Sequence, residues 1–471
     1  MQTILRVQFL AMFLFSTLGH GMPVTESVEI LARPGKGETL LAQSVTFNSG
    51  DAGHFAYVLK KGPHVWVNID GKAGAPHENL AKGTPLFNRD GSRSVYIAYQ
   101  GDKAFVVADG KELPGFDQVS DPRFSPDGKR LVYLAQTARG QMVVEEDKIL
   151  GCFDGILAQP RFSPDSNQLA FLGVKDNKVS VVLNGRSIIK KCENAKELTF
   201  SPDSNHLAFA LKRKGRWFLA RDKKISKKGY QNIQSLQFSP DSSRFFFAAQ
   251  EKNRLFYVEN QSEMTPYDTV GALVFSPNSQ RTAYPARVGK TWRVVLDQRE
   301  GPGFTALATL TFSPDSQRFA YSGVTNVDKG VVVLDQTLGQ TYDAVGQPVF
   351  SPDSRRMAFR AKTGRHWRMV QDGRLGTPYD MIRRPVFSPD ASRLAYAGEK
   401  AGKRFLVVNG KEGAPYETVG FPWFSPDGSH LVHTAMDEDQ KWRVVLDGIP
   451  LGKTFDGFLR GAPMAFSGLS C

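Results

Sequence analysis

The chain has 471 residues, with 60 Lys and Arg against 47 Asp and Glu, a formal charge of +13. At 41% hydrophobic and 23% charged residues, it has ample material for a core, which excludes a disordered chain and one that needs staples. The 44 Gly and 27 Pro fit a turn-dense all-β chain, and helix-period stretches are absent beyond the N-terminal segment.

Residues 1–21 are expected to be a cleaved export signal. Arg6 supplies the positive region, Val7 to Leu18 is a twelve-residue, mostly apolar run, and Thr17, Gly19 and Gly21 are small residues near the cleavage point. An uncleaved anchor is the alternative, but twelve residues fall short of the ~20 needed to span a bilayer. No other stretch is long and apolar enough to cross one, so the expected location is periplasmic or secreted. Residues 22–43 are a lead-in with a strand-like Val28–Leu31.

From residue 44 to 471 the chain is a repeat. Phe-Ser-Pro-Asp stands at Phe124–Asp127, Phe162–Asp165, Phe200–Asp203, Phe238–Asp241, Phe312–Asp315, Phe350–Asp353, Phe387–Asp390 and Phe424–Asp427, with a variant at Phe275–Asn278. Degenerate copies begin at Phe47 and Phe87, and a partial one at Phe466. The steps from Phe87 to Phe424 are 37 or 38 residues throughout, and so tight a period marks a repeat architecture.

One unit, Phe387 to Phe424, reads as four short strands: Leu394–Ala397, Phe405–Val408, Tyr416–Val419 and Gly420–Phe424. Asn409-Gly410 is a two-residue hairpin signal, because both turn residues need positive φ. Pro of the motif sets a turn corner and Asp accepts backbone N–H groups within it. Four strands per unit of this length match a propeller blade. The expected fold is an all-β β-propeller of about eleven four-stranded blades. Two rings are expected because most propellers have about 4–8 blades, with one large ring as the alternative and no linker to place a break. Trp217, Trp292, Trp367 and Trp442 recur every 75 residues, in alternate blades, as expansion by two-blade units would leave them.

The pattern Phe-Ser-Pro-Asp-Gly/Ser-x-x-x-Ala-Tyr/Phe, as in Phe350–Phe359, resembles the PD40 (WD40-like) repeats of TolB-type bacterial β-propellers. The resemblance covers roughly residues 44 to 468. It implies a propeller scaffold of a kind used for binding and by some enzymes. TolB-like proteins place a separate α/β domain before the propeller, whereas here repeats begin by about residue 44.

Candidate chemistry is sparse. The repeated motif Asp looks like a row of metal ligands, but each is accounted for by amides of its own turn. The histidines after residue 21 show no zinc spacing, and His430 and His433 flank one strand on opposite faces. There is no hydrolase elbow, Walker loop or dinucleotide fingerprint. No catalytic, metal or cofactor residue is expected. Cys152 and Cys192 can pair in an oxidising compartment; the favoured reading makes Cys192 a buried small hydrophobe in the place of a blade aromatic.

The strongest remaining clue is a basic stretch containing Lys212, Arg213, Lys214, Arg216, Arg221, Lys223, Lys224, Lys227 and Lys228, with Asp222 the only acid; Arg355/Arg356 and Arg383/Arg384 are smaller clusters. These residues are candidate contacts for an anionic partner. The competing explanation is an outer strand blunted by Lys and Arg against edge pairing. The expected function is an exported, non-enzymatic scaffold binding a protein or an anionic envelope polymer. The alternative is a polysaccharide lyase or glycosidase with a site in the channel. Nucleic acid is not expected in an exported protein.

Overall fold

Each repeat closes into one antiparallel sheet because its central strands are apolar on both faces and its hairpins are short. In the tenth repeat, Leu394–Lys400 is buried over its first five residues and pairs with Lys403–Val408, Ala395 opposite Val408. Asn409 and Gly410 then turn the chain at φ 48° and 79°. Lys411–Tyr416 follows as the outermost strand, exposed except for Tyr416. The first strand of this blade is Met381–Ile382 and Val386–Phe387, both paired with Leu394–Lys400. Pro385, which has no N–H to donate, lies in the gap between the two pieces.

The computed structural model of the protein describes residues 10–16, 25–32, 34–41, 44–47, 54–83, 85–452, 454–455 and 465–467. Among them, eleven sheets of this design follow one another, the strands of each in chain order from first to fourth. We number them as blades 1 to 11. In six blades the first strand is interrupted, as in the tenth. The chain is an all-β β-propeller. It divides into two compact units, Met1–Leu236 with Gly461–Cys471, and Gln237–Arg460. The division falls within Asn232–Phe238, the first strand of blade 6.

Three boundaries differ from the sequence expectation. The fourth strand is Lys411–Tyr416, a polar Gly- and Pro-containing run that reads as a loop because an outer edge faces water. Tyr416–Val419 is therefore not one strand: the chain bends at Glu417, and Thr418–Val419 opens the next blade. Blade 1 already includes Thr39–Leu40, within the expected lead-in, paired with Phe55–Lys61. Of the stretch expected to be an export signal, Leu10–Ser16 is described; it is a strand between Thr25–Ala32 and Ala465–Ser467. The remainder of that stretch, and Cys471, lie outside the described residues.

The motif turn joins neighbouring blades as well as closing its own. Ser313 Oγ donates to Asp315 Oδ1 at 2.5 Å and accepts the Arg318 N–H at 2.9 Å, while Asp315 Oδ1 accepts the Gln317 N–H at 3.0 Å. The Asp315 N–H then donates to Ser354 Oγ in the next blade, at 2.9 Å. The same inter-blade bond runs from Asp127 to Ser166, Asp165 to Ser204, Asp241 to Ser279 and Asn278 to Ser316. Asn278 substitutes for Asp because an acceptor oxygen is required: Ser276 donates to its Oδ1 at 2.7 Å. The hydroxyl bonds hold the carboxyls of Asp165, Asp241 and Asp390 down at about 2.

The receiving serine, directly after the motif acid, carries a positive φ, 68° at Ser316. It keeps that strained backbone because its hydroxyl holds the neighbouring turn. S316A is expected to lose about 1–2 kcal/mol, as one hydrogen bond breaks and a donor is orphaned. S316G loses the same bond but relieves roughly 1 kcal/mol of backbone strain, so it should unfold at a higher temperature than S316A. Thermal unfolding followed by circular dichroism orders the three proteins; wild-type stability in S316A would show that the bond contributes nothing.

Candidate binding surface

Seven arginines are used between the blades. Six residues after each motif Phe stands Arg93, Arg130, Arg244, Arg281, Arg318, Arg356 or Arg393, with Gln168, His206 and His430 in the remaining blades. Arg281 illustrates the role. Its Nε bonds Asp297 Oδ2 at 2.9 Å, its Nη1 donates to the Gln317 carbonyl of the next blade at 2.9 Å, and its guanidinium lies 5.5 Å from the centre of the Phe312 ring. Arg93 lies over Phe124, Arg130 over Phe162, Arg318 over Phe350, Arg356 over Phe387 and Arg393 over Phe424 in the same way. Cation–π contact with a partly desolvated ring makes this an inter-blade clasp. His206 and His430 take the same place, each bonded to its hairpin Asp, Asp222 and Asp447, at 2.6 Å. Arg356 of the Arg355/Arg356 cluster is thus a clasp residue.

The basic stretch lies along the outer side of blade 5. Arg213, Lys214 and Arg216 surround the hairpin between Leu207–Arg213 and Arg216–Arg221. Lys223 and Lys224 sit at the opposite hairpin, about 17 Å away along a six-residue strand. Lys212 is half-buried, whereas Lys227 and Lys228 are exposed on the outermost strand, Lys224–Tyr230. That strand is irregular there, its Ser226 hydroxyl receiving the Leu219 N–H at 3.1 Å. Glu193, outside the basic stretch, accepts the Lys214 and Gly215 N–H groups. The cations therefore line one blade edge and both its ends, not a single pocket. A Lys-bearing, irregular outer strand is also what protects a sheet edge.

Cys152 is exposed and Cys192 buried, and both are free thiols. Cys192 stands opposite Val179, and burial pushes its thiol up. His430 and His433 do not converge: His430 pairs with Asp447, whereas His433 is buried, its Nδ1 donating to the Thr434 carbonyl at 3.1 Å. Among the described residues no group of three or more His, Cys, Asp or Glu side chains is arranged to hold a metal.

The first strands carry two aromatics that sequence reasoning did not single out, Phe421 and Trp423, and the Arg383/Arg384 cluster that it did. First strands form the inner edge of the blades, since those of successive blades bond to each other: Gln159 to Asp121 at 2.8 Å and Lys196 to Asn232 at 2.7 Å. On blade 11 this edge exposes Phe421 and Trp423, 47% and 48% accessible. Their rings meet edge to face at 5.6 Å. On blade 10 it exposes Arg383 and Arg384. The repeat offered a signal: the residue before the motif Phe is Val, Thr, Gln, Leu, Arg or Ala elsewhere and Trp only at Trp423.

Burial holds the His433 imidazole below its ordinary pKa. The unfolded chain then binds the proton more readily, so the contribution of His433 to stability is complete above about pH 6.5 and is lost as pH falls below it, by up to about 1.4 kcal/mol per unit. H433F should flatten the fall in melting temperature between about pH 7 and pH 5. An unchanged pH slope would show that His433 is not buried neutral.

No protein-family model matches the chain, and no curated protein does. Solved structures do resemble it. A eukaryotic initiation factor is 13% identical, covering 78% of this chain and 96% of its own, with a TM-score of 0.36. TolB from Acinetobacter baumannii is 13% identical over 56% of this chain and 78% of its own, TM-score 0.26. The Dos1 propeller is 13% identical over 58% of this chain and 87% of its own, TM-score 0.28. The propeller architecture rests on the chain's own eleven blade sheets.

Proposed function

We propose that this is an exported β-propeller of the PD40 type that binds an anionic polymer or an acidic protein face in the cell envelope. The observation that carries the reading is the exposed Phe421–Trp423 pair on the inner edge of blade 11, beside Arg383 and Arg384 on blade 10. Exposed aromatic pairs offer flat contact area at low entropic cost. Exposed guanidinium groups on the adjoining blade bind carboxylate or phosphate in a bidentate fashion. The protein acts by presentation: rigid blades hold these side chains in place and the partner is retained, not transformed. The basic edge of blade 5 contributes long-range attraction, which salt screens over ~10 Å at about 0.1 M.

Pull-down from envelope extract tests this. F421A/W423A and R383A/R384A should each lose the retained partner at moderate salt. Neutralising Lys212, Arg213, Lys214, Arg216, Lys223, Lys224, Lys227 and Lys228 should weaken capture mainly at low salt. Retention unaffected by the first two variants and abolished by the third would move the site to blade 5. Shortening of a retained polysaccharide on incubation would replace binding with cleavage.

A further inference from the structure

The repeat contains its own template for a ligand. Nine residues after each motif Phe from Phe87 onward, the second strand carries a large aromatic: Tyr96, Tyr133, Phe171, Phe209, Phe247, Tyr284, Tyr321, Phe359 and Tyr396. All are buried. The rings pack back onto the preceding blade, as Tyr321 does edge to face on Phe304 at 5.9 Å and Tyr396 on Tyr379 at 6.2 Å. In blade 11 the residue at this place is His433, which meets Tyr416 of blade 10 in the same edge-to-face manner at 6.2 Å.

The shorter side chain adds room to a gap between the two blades. A cavity of about 260 Å³ lies there, walled by Leu406, Tyr416, Leu431, His433 and Val445. In blades 2 and 8 a phenol tip reaches the equivalent place. The hydroxyls of Tyr96 and Tyr321 stand 3.3 and 3.2 Å from where a Cβ would project on Gly74 and Gly301 of the preceding blade. Gly413 is the corresponding glycine of blade 10, three residues before the outer aromatic. Around its Cβ position only the Leu406 carbonyl oxygen lies within 4 Å among the described residues, as only Met369 atoms do around Gly376, the corresponding glycine before Tyr396. Engineered apolar cavities of about 150 Å³ already hold a benzene ring, so the volume here admits one substituted ring.

The polar group in the wall has a defined character. His433 Nδ1 faces a carbonyl oxygen, which can only accept, so Nδ1 carries the proton and Nε2 is left as an acceptor. No hydrogen bond to Nε2 is found among the described residues. At the rim, Arg393 and Lys411 are matched by Glu412 and Asp447, so no net charge selects an ion. We propose that the gap between blades 10 and 11 is a binding site for a small neutral phenol, a single ring whose hydroxyl donates to His433 Nε2.

The probe is 4-fluorophenol, titrated into the full chain and followed by fluorine NMR. Saturable line broadening is expected for the wild type. H433Y supplies the missing ring covalently and should melt at a higher temperature while losing the broadening. Y321H opens the same space over Gly301 and should gain a second binding event, which keeps the test sharp if H433Y folds poorly. No saturable binding by the wild type, or binding undiminished in a folded H433Y, overturns the proposal.

Discussion

The hydrogen bond from the motif acid's N–H to a serine hydroxyl of the next blade is the constraint on which much of this structure depends. A four-stranded blade is apolar on both faces and cannot be covered alone, so each blade must meet its neighbours at a fixed distance and angle. The turn built by Ser313, Pro314 and Asp315 sets that geometry at one end of the blade, by closing on itself and reaching Ser354. The Arg318 clasp, over Phe350 at 5.4 Å, reinforces it close by. Five blade pairs share the serine bond. Where glycine or alanine replaces serine, as at Gly128, Ala391 and Gly428, the Arg clasp remains.

This arrangement changes the meaning of the charge. A chain at +13 invites an explanation through an anionic partner, yet seven arginines are engaged between blades. Their partners are aromatic rings, backbone carbonyls and carboxylates of hairpin turns. Two local groups of exposed cations stand apart from these clasps: the outer edge of blade 5 and the Arg383–Arg384 step on the inner edge of blade 10. The edge of blade 5 combines exposed Lys and Arg with an irregular outermost strand, so protection from edge pairing and attraction of anions draw on the same side chains.

Function in a repeat protein is most visible where the repeat is broken. Trp423 and Phe421 place exposed rings at positions that other blades give to smaller or polar residues. His433 stands where nine other repeats place Tyr or Phe, and it lines a cavity of about 260 Å³. Both departures fall in blade 11, and neither disturbs the clasp, since Arg393 still covers Phe424 at 5.0 Å. The scaffold tolerates them because the Trp423 ring points out from the inner edge and His433 keeps the edge-to-face contact with Tyr416.

The sequence by itself determined the all-β class, the blade count and the turns. Each rests on local chemistry: the Asn409-Gly410 hairpin, the Pro-fixed corner and the alternation of apolar strands act over a few residues and repeat. It also placed His430 and His433 apart, because strand periodicity is local. It did not separate the clasp arginines from free cations, since an arginine at Arg281 is defined by Phe312 and Gln317, more than 30 residues on in the adjoining blade. The polar run Lys411–Tyr416 was unreadable as a strand for a similar reason: an edge strand is held by its neighbour's backbone, not by its own side chains. Only the tertiary structure decided which aromatics are exposed at the inner edge and that His433 lines a cavity, because exposure and free volume are properties of packed neighbours.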